Sequence, residues 1–287
     1  MVGYISIAIL LSAFYFIYKT TWRSWQKPEV KFPNKWRKIL AKEVGYYKTL
    51  DNEQKSLFEF KVHEFLLNHK INGIGTQIDI TDKLLVASSG VIPIFAFPEW
   101  RYKNLSEVLL YPNRFNTEFQ TKGENRNILG MVGNGYMEGK MILSKPALHH
   151  GFKNVSDKRN TAIHEFVHLI DKSDGNIDGL PALLLERPYA IPWIDLMNQK
   201  IDDIYESRSD INPYGGTNKA EFFAVVSEYF FKRPKLLAQK HPKLYHLLED
   251  IFDQDLDKRS FEKKRLDIGR NNPCLCNSGK KFKHCCE

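Results

Sequence analysis

Residues 164–168 read His-Glu-Phe-Val-His. On a helix, positions i and i+4 lie one above the other on the same face. Two imidazoles at that spacing can hold one Zn²⁺ at about 2.0–2.1 Å each. Glu165 is turned about 100° away from His164, too far round to ligate, yet able to take a proton from a water at the metal. Ile163, Phe166, Val167, Leu169 and Ile170 make the segment apolar enough to be a buried helix. Polar side chains in such a setting need partners. The competing reading is a pair of core histidines hydrogen-bonded to carboxylates.

A catalytic zinc needs a third protein ligand and an open position. Asp174 lies ten residues after His164, but that arrangement favours glycine at position 171, where this chain has Asp171. Asp171 is better placed to accept a hydrogen bond from an imidazole N–H and orient it. Glu221 stands in a second helical pattern, TNKAEFFAVVSEYFF (217–231), and two antiparallel helices would bring it to the histidine pair. Asn218-x-x-Glu221 is also a capping box, in which the carboxylate would serve only a backbone N–H. Glu228, seven residues on, is a fallback ligand or an outer partner. Tyr214, in a Pro-Tyr-Gly-Gly turn, would lie near a metal held by Glu221 and could donate to a developing oxyanion.

A second cluster closes the chain. Cys274 and Cys276, then Cys285 and Cys286, are the protein's only cysteines. Two close pairs joined by a Ser-Gly turn suit a tetrahedral structural zinc, and so short a segment would take its folding energy from the metal.

The elements that must position these groups follow from periodicity. Asp51 with Gln54 makes a capping box for a helix near 51–69, with Leu57, Phe60, Phe65 and Leu66 on its apolar side. The stretch 76–112 contains short elements, with a strand at 108–111. Residues 130–144 form a glycine-rich turn between short strands. Helical patterns follow at 159–172, 181–187, 192–207, 218–231 and 234–251. Strands first and helices later argue for an α+β domain, mostly helical with a small sheet.

Charge divides the 287-residue chain. Residues 19–38 and 258–287 each carry +6, and the stretch between them carries −4, within a total of +8. The basic ends therefore give no reason to expect specific nucleic-acid binding in the middle. Residues 2–18 are uncharged, with no cation before them and a basic, tryptophan-bearing flank after them. That order predicts a retained transmembrane anchor rather than a cleaved signal, with the remainder in the cytoplasm. The expected organisation is an anchor at 1–22, a basic juxtamembrane linker at 23–38, a catalytic domain at 39–257, and a basic linker with a zinc module at 258–287.

HEFVHLID (164–171) and YGGTNKAEFFAVVSEYFF (214–231), with EVLLYPNRF (107–115), resemble the MtfA (Mlc titration factor A) family of zinc metallopeptidases over most of 36–255. The resemblance implies that His164, His168 and Glu221 bind the catalytic zinc, that Glu165 is the base, and that Tyr214 lies at the active site. It also implies a zincin-like fold of gluzincin type, similar to the catalytic domain of anthrax lethal factor, and aminopeptidase-like cleavage of short substrates. The tail RNNPCLCNSGKKFKHCCE (270–287) resembles the SEC-C motif, which implies a structural zinc on its four cysteines and docking to a protein or ribosomal partner.

The expectation is a zinc peptidase tethered to the cytoplasmic membrane, with a peptide bound beside the strand at 140–144. The alternative is an anchored adaptor that sequesters a transcriptional regulator.

Overall fold

A computed structural model describes residues 25–181, 187–259, 271 and 280–284. The anchor expected over 1–22 and all four cysteines lie outside the described residues. Among the described residues, no helix is long and apolar enough to cross a membrane.

Four short strands form one sheet: β1 (Lys70–Gly73), β2 (Glu107–Tyr111), β3 (Gly130–Val132) and β4 (Lys140–Ser144), in the order β1-β2-β4-β3. The first three neighbours are parallel, and β3 runs antiparallel to β4. Met141, Ile142 and Leu143 of β4 are all buried. Such an unbroken apolar run belongs to a strand covered on both faces. The strands at 108–111 and 140–144 thus stand where the sequence puts them, and the glycine-rich stretch supplies β3. The position expected for a bound peptide is corrected. Both neighbours of β4 are taken, so it has no free edge, and β3 is the edge strand.

Helices α1 (Asn34–Glu43), α2 (Gly45–Lys48) and α3 (Asn52–Asn68) precede β1 in the chain, and α4 (Ile80–Val91) lies between β1 and β2. The capping box of α3 forms as expected, with the Gln54 N–H donating to Asp51 Oδ1 at 2.8 Å. Its inner face differs. Phe58, Val62 and Phe65, spaced i, i+4, i+7, are buried, whereas Leu57 and Phe60 point outward. The sequence reading does not anticipate α4. Leu84 to Val91 are all buried, so the helix has no polar face to reveal its period. The described part of the expected linker also lies on the domain. Gln26 and Asn68 exchange hydrogen bonds, and Arg37 forms an ion pair with Glu59.

The second half is helical: α5 (Lys145–Lys153), α6 (Thr161–Asp171), α7 (Arg187–Tyr205), α8 (Lys219–Lys232), α9 (Pro234–Lys240) and α10 (Pro242–Phe252). The single helix expected over 234–251 is two. Pro242 has no N–H to continue the ladder, and it begins α10 instead. Residues 182–186, from the helix expected at 181–187, lie outside the described residues. Phe222, Phe223, Phe230 and Phe252 are fully buried, and the last three rings stack in series (Phe223–Phe252 5.9 Å, Phe230–Phe252 5.8 Å). They place α8 in the core, facing α6. The architecture is a helix-rich α+β domain with a small sheet.

Candidate metal centre

Helix α6 starts where Asn160 caps it, its Oδ1 accepting from the Ile163 N–H at 3.2 Å. Every residue from Ala162 to Asp171 is buried. Helix α8 starts at Asn218, whose Oδ1 accepts from the Glu221 N–H at 2.9 Å. Only this half of the expected capping box is present. The Glu221 carboxylate turns to the histidines instead. The late part of α8 meets the start of α6 at Glu228 and Asn160, and its early part meets His168, so the two helices run antiparallel.

His164 Nε2, His168 Nε2 and a Glu221 oxygen form the one potential metal-binding group of three or more His, Cys, Asp or Glu among the described residues. The separations are 3.0 Å from Glu221 to His164, 3.4 Å from Glu221 to His168, and 3.1 Å between the two nitrogens. Donors about 2.0–2.1 Å from a tetrahedral ion stand about 3.3–3.4 Å apart. The three atoms are therefore close to the face of such a tetrahedron, and two imidazoles with a carboxylate are a donor set that zinc takes. All three donor residues line a cleft of about 670 Å³, together with Glu165, Tyr214 and the residues of β3.

Glu228 holds the other side of His164, with Oε1 2.8 Å from Nδ1. That contact leaves Nε2 for the metal. The second Glu228 oxygen accepts the Asn160 N–H, so one carboxylate fixes both the imidazole and the start of its helix. Asp171 differs from expectation. Its Oδ2 accepts from the Gly179 N–H at 2.9 Å, while its Oδ1 and His168 Nδ1 are buried without partners. Asp171 thus tethers the loop after the helix, not the imidazole. Asp174 is not among the metal-facing atoms and caps the Asn176 N–H.

The electrostatics follow from burial and these pairs. Burial opposes charge on His164, but the Glu221 and Glu228 carboxylates outweigh it and raise its pKa well above the ordinary value. Burial would raise Glu221, yet the two histidines hold it well below the carboxylate range. Glu165 is raised, first by burial. A carboxylate so raised is a stronger base near neutrality. Tyr214 is 53% exposed, its ring centre 6.0 Å from that of His164. Partial burial and the Glu221 charge push its hydroxyl up to about 12, so it remains a donor at neutral pH.

Three contributors escape the sequence reading. A Cβ on Gly130 of β3 would lie 2.7 Å from a Glu165 oxygen, so only glycine lets the strand pass there. Gly179 (φ +76°) packs against the start of α8, where a Cβ would lie 2.4 Å from the Lys219 carbonyl oxygen. Lys172, just after α6, donates to Asn134 at 2.9 Å and to Glu138 at 2.7 Å, holding the β3–β4 turn over the helix end. The glycine cluster at 130–135 is the only one of these signals visible in the sequence.

Comparison with known proteins places the geometry in context. Residues 19–253 match the model of the glucose-regulated metallo-peptidase M90 family, and residues 270–287 match the SEC-C motif. An uncharacterized protein of Synechocystis sp., slr2042, is 26% identical over 80% of this chain and 88% of its own length. Mlc titration factor A of Pectobacterium atrosepticum is 26% identical, covering 83% of this chain and 92% of its own. That of Escherichia fergusonii is 25% identical with the same coverage.

Proposed function

The chain belongs to the glucose-regulated metallo-peptidase M90 family, and from that premise we propose that it hydrolyses peptide bonds at the site formed by α6, α8 and β3. The observation that carries this reading is the convergence of His164, His168 and Glu221 on one point, with Glu165 beside it in an open cleft. Zinc bound there would supply Lewis-acid polarisation of the scissile carbonyl and acidify a water. Glu165 takes the proton of the attacking water and delivers it to the departing amine. Tyr214 donates its hydroxyl proton in a hydrogen bond to the oxyanion as the carbonyl becomes tetrahedral. Glu228 keeps His164 in the tautomer that presents Nε2. Gly130, Met131 and Val132 of β3 line the cleft, and this end strand of the sheet can receive a peptide backbone as an added strand. Aminopeptidase-like cleavage of short substrates and a gluzincin-type fold are the finer form of this proposal.

Two attachments complete it. Residues 2–18 anchor the protein in the cytoplasmic membrane, with the catalytic domain on the cytoplasmic side. Cys274, Cys276, Cys285 and Cys286 hold a second, structural zinc in a basic module that docks a protein partner.

A second reading draws on the relatives named Mlc titration factor A. In it, the chain binds a transcriptional regulator and peptidase activity is secondary. A pure adaptor has no physical need of Glu165, which supports the enzyme. The deciding experiment compares Glu165→Gln and Glu221→Ala on a panel of fluorogenic peptides. Glu165→Gln should retain zinc and lose about 10²–10⁴-fold in turnover, whereas Glu221→Ala should lose zinc. Unchanged hydrolysis by Glu165→Gln rules out the proposed role.

A further inference from the structure

The described chain begins with a strap, residues 25–38, that packs along α3 at Asn68, His63 and Glu59. Gln26 is fixed at one end by its paired hydrogen bonds with Asn68, at 2.9 and 2.8 Å. Phe32 and Trp36 pack edge-on against His63 midway, with ring centres at 6.0 and 5.5 Å. Arg37 closes the other end on Glu59 through two hydrogen bonds of 2.7 and 2.6 Å. The strap is therefore part of the domain surface and not a loose tether.

What it presents outward has an unusual character. Lys27, Lys31, Lys35 and Lys38 are all exposed, against a single exposed acid, Glu29. Among them Val30 is 69% exposed. On α3 itself, Leu57 and Phe60 are 40% and 39% exposed, and Leu67 is 36% exposed. These apolar residues follow the helical period on the face opposite Phe58, Val62 and Phe65. Helix α3 is thus apolar on two sides, and only one of them meets the core.

Chain length limits what can cover the second side. Only residues 19–24 separate Trp25 from the apolar run 2–18. Six residues reach roughly 20 Å when fully extended, and Leu57 to Leu67 span about 15 Å along α3. A domain held by so short a leash at the Asn68 end of α3 must keep this face close to whatever residues 2–18 enter. Cations interspersed with exposed aliphatic and aromatic groups match the headgroup region of an anionic bilayer.

We infer that the strap and the outward face of α3 lie on an anionic phospholipid surface, fixing the orientation of the catalytic domain on the membrane. This inference rests on the proposed anchor, so its test must separate the two. The full chain is reconstituted in vesicles of phosphatidylcholine with 30% phosphatidylserine, in vesicles of phosphatidylcholine alone, and in detergent micelles. Lysine acylation is then read residue by residue by mass spectrometry, with exposed Lys122 and Lys243 as internal references. Carbonate extraction of the same vesicles reports the anchor.

The expected result is at least a fivefold fall in acylation of Lys27, Lys31, Lys35 and Lys38, relative to the references, on the anionic vesicles, with a smaller fall on neutral ones. Replacing Lys27, Lys31 and Lys35 together by Glu should restore reactivity at Lys38. Strap lysines as reactive as the references on anionic vesicles would overturn the inference, even if the chain resists extraction. Equal protection in vesicles and micelles would also overturn it, because the chain itself would then be the cover. Protection that survives in a chain released by carbonate would support the face as a peripheral contact and refute the anchor alone.

Discussion

Gly130 gives the sharpest test of how β3 serves the catalytic carboxylate. A Cβ built on it lies 2.7 Å from Glu165 Oε1, 2.8 Å from Glu165 Cγ and 2.9 Å from Thr161 Cγ2. Ordinary contact begins at 3.4 Å, so the Glu165 oxygen must retreat by roughly 0.7 Å, or β3 must move by as much. Neither is free. Glu165 is buried on α6, and β3 is held by the flanking hydrogen bonds from the Gly133 N–H to the Lys140 carbonyl at 2.8 Å and from the Ser144 N–H to the Leu129 carbonyl at 2.7 Å. Misplacing a catalytic group by about 1 Å costs about 10²-fold in rate, or roughly 2.7 kcal/mol of transition-state stabilisation. Gly130→Ala should therefore lower kcat/KM on fluorogenic peptides by about 30- to 100-fold. Zinc affinity should stay within about threefold, because the atoms nearest the new methyl group belong to Glu165 and Thr161 and not to the three ligands. Gly45→Ala, which has nothing within 4 Å of its Cβ, is the control and should leave activity unchanged. Full activity in Gly130→Ala with intact zinc would refute the claim that the strand edge and Glu165 are packed in register.

Other outcomes follow from the same geometry. Glu228→Gln should weaken zinc binding about 10- to 100-fold, measured by chelator competition, because His164 loses its charged partner; an unchanged affinity would show that the contact does not orient the ring. Phe166→Ala should destabilise the domain by about 3–5 kcal/mol in urea unfolding, since its fully buried ring meets Phe65 at 5.7 Å and Tyr102 at 5.1 Å. Asp210 joins Lys158, Lys240, His241 and Tyr229. Burial alone would raise its carboxyl, but the hydrogen bonds from Lys158, His241 and Lys240 hold it well below the usual range. Its stabilisation is complete above the unfolded value of about 3.9 and is lost as pH falls through the folded one. Asp210→Asn should thus lower Tm at pH 7, and the gap to wild type should begin to narrow only as pH falls below about 4; a gap independent of pH would contradict the assignment.

The chemistry of the centre is more legible in the sequence than the shape that surrounds it. Histidines four residues apart must share a helix face, and the flanking apolar residues bury that helix, so α6 and its pair follow from local rules. Glu221 is harder, because a carboxylate three residues after Asn218 serves equally as a cap. Only the packing of α8 on α6 decides that Asn218 caps alone and the carboxylate faces the imidazoles. Asp171 shows the opposite error. Its position on the helix suggests a histidine partner, but the loop at Gly179 reaches it first. Helix α4 and the inner face of α3 were obscured for one reason: apolar residues lie on more than one side, so the hydrophobic period no longer marks the core. Gly130 and Lys172 act across sequence separations that no local pattern records.

The proposed chemistry requires that His164, His168 and Glu221 share one ion. Anomalous diffraction at the zinc edge, on crystals of the zinc-loaded protein, tests it most directly. The expected peak lies about 2.0–2.1 Å from both Nε2 atoms and about 2.0–2.2 Å from a Glu221 oxygen. A peak bound by the histidines with the Glu221 carboxylate turned away, or no peak between them, would contradict it.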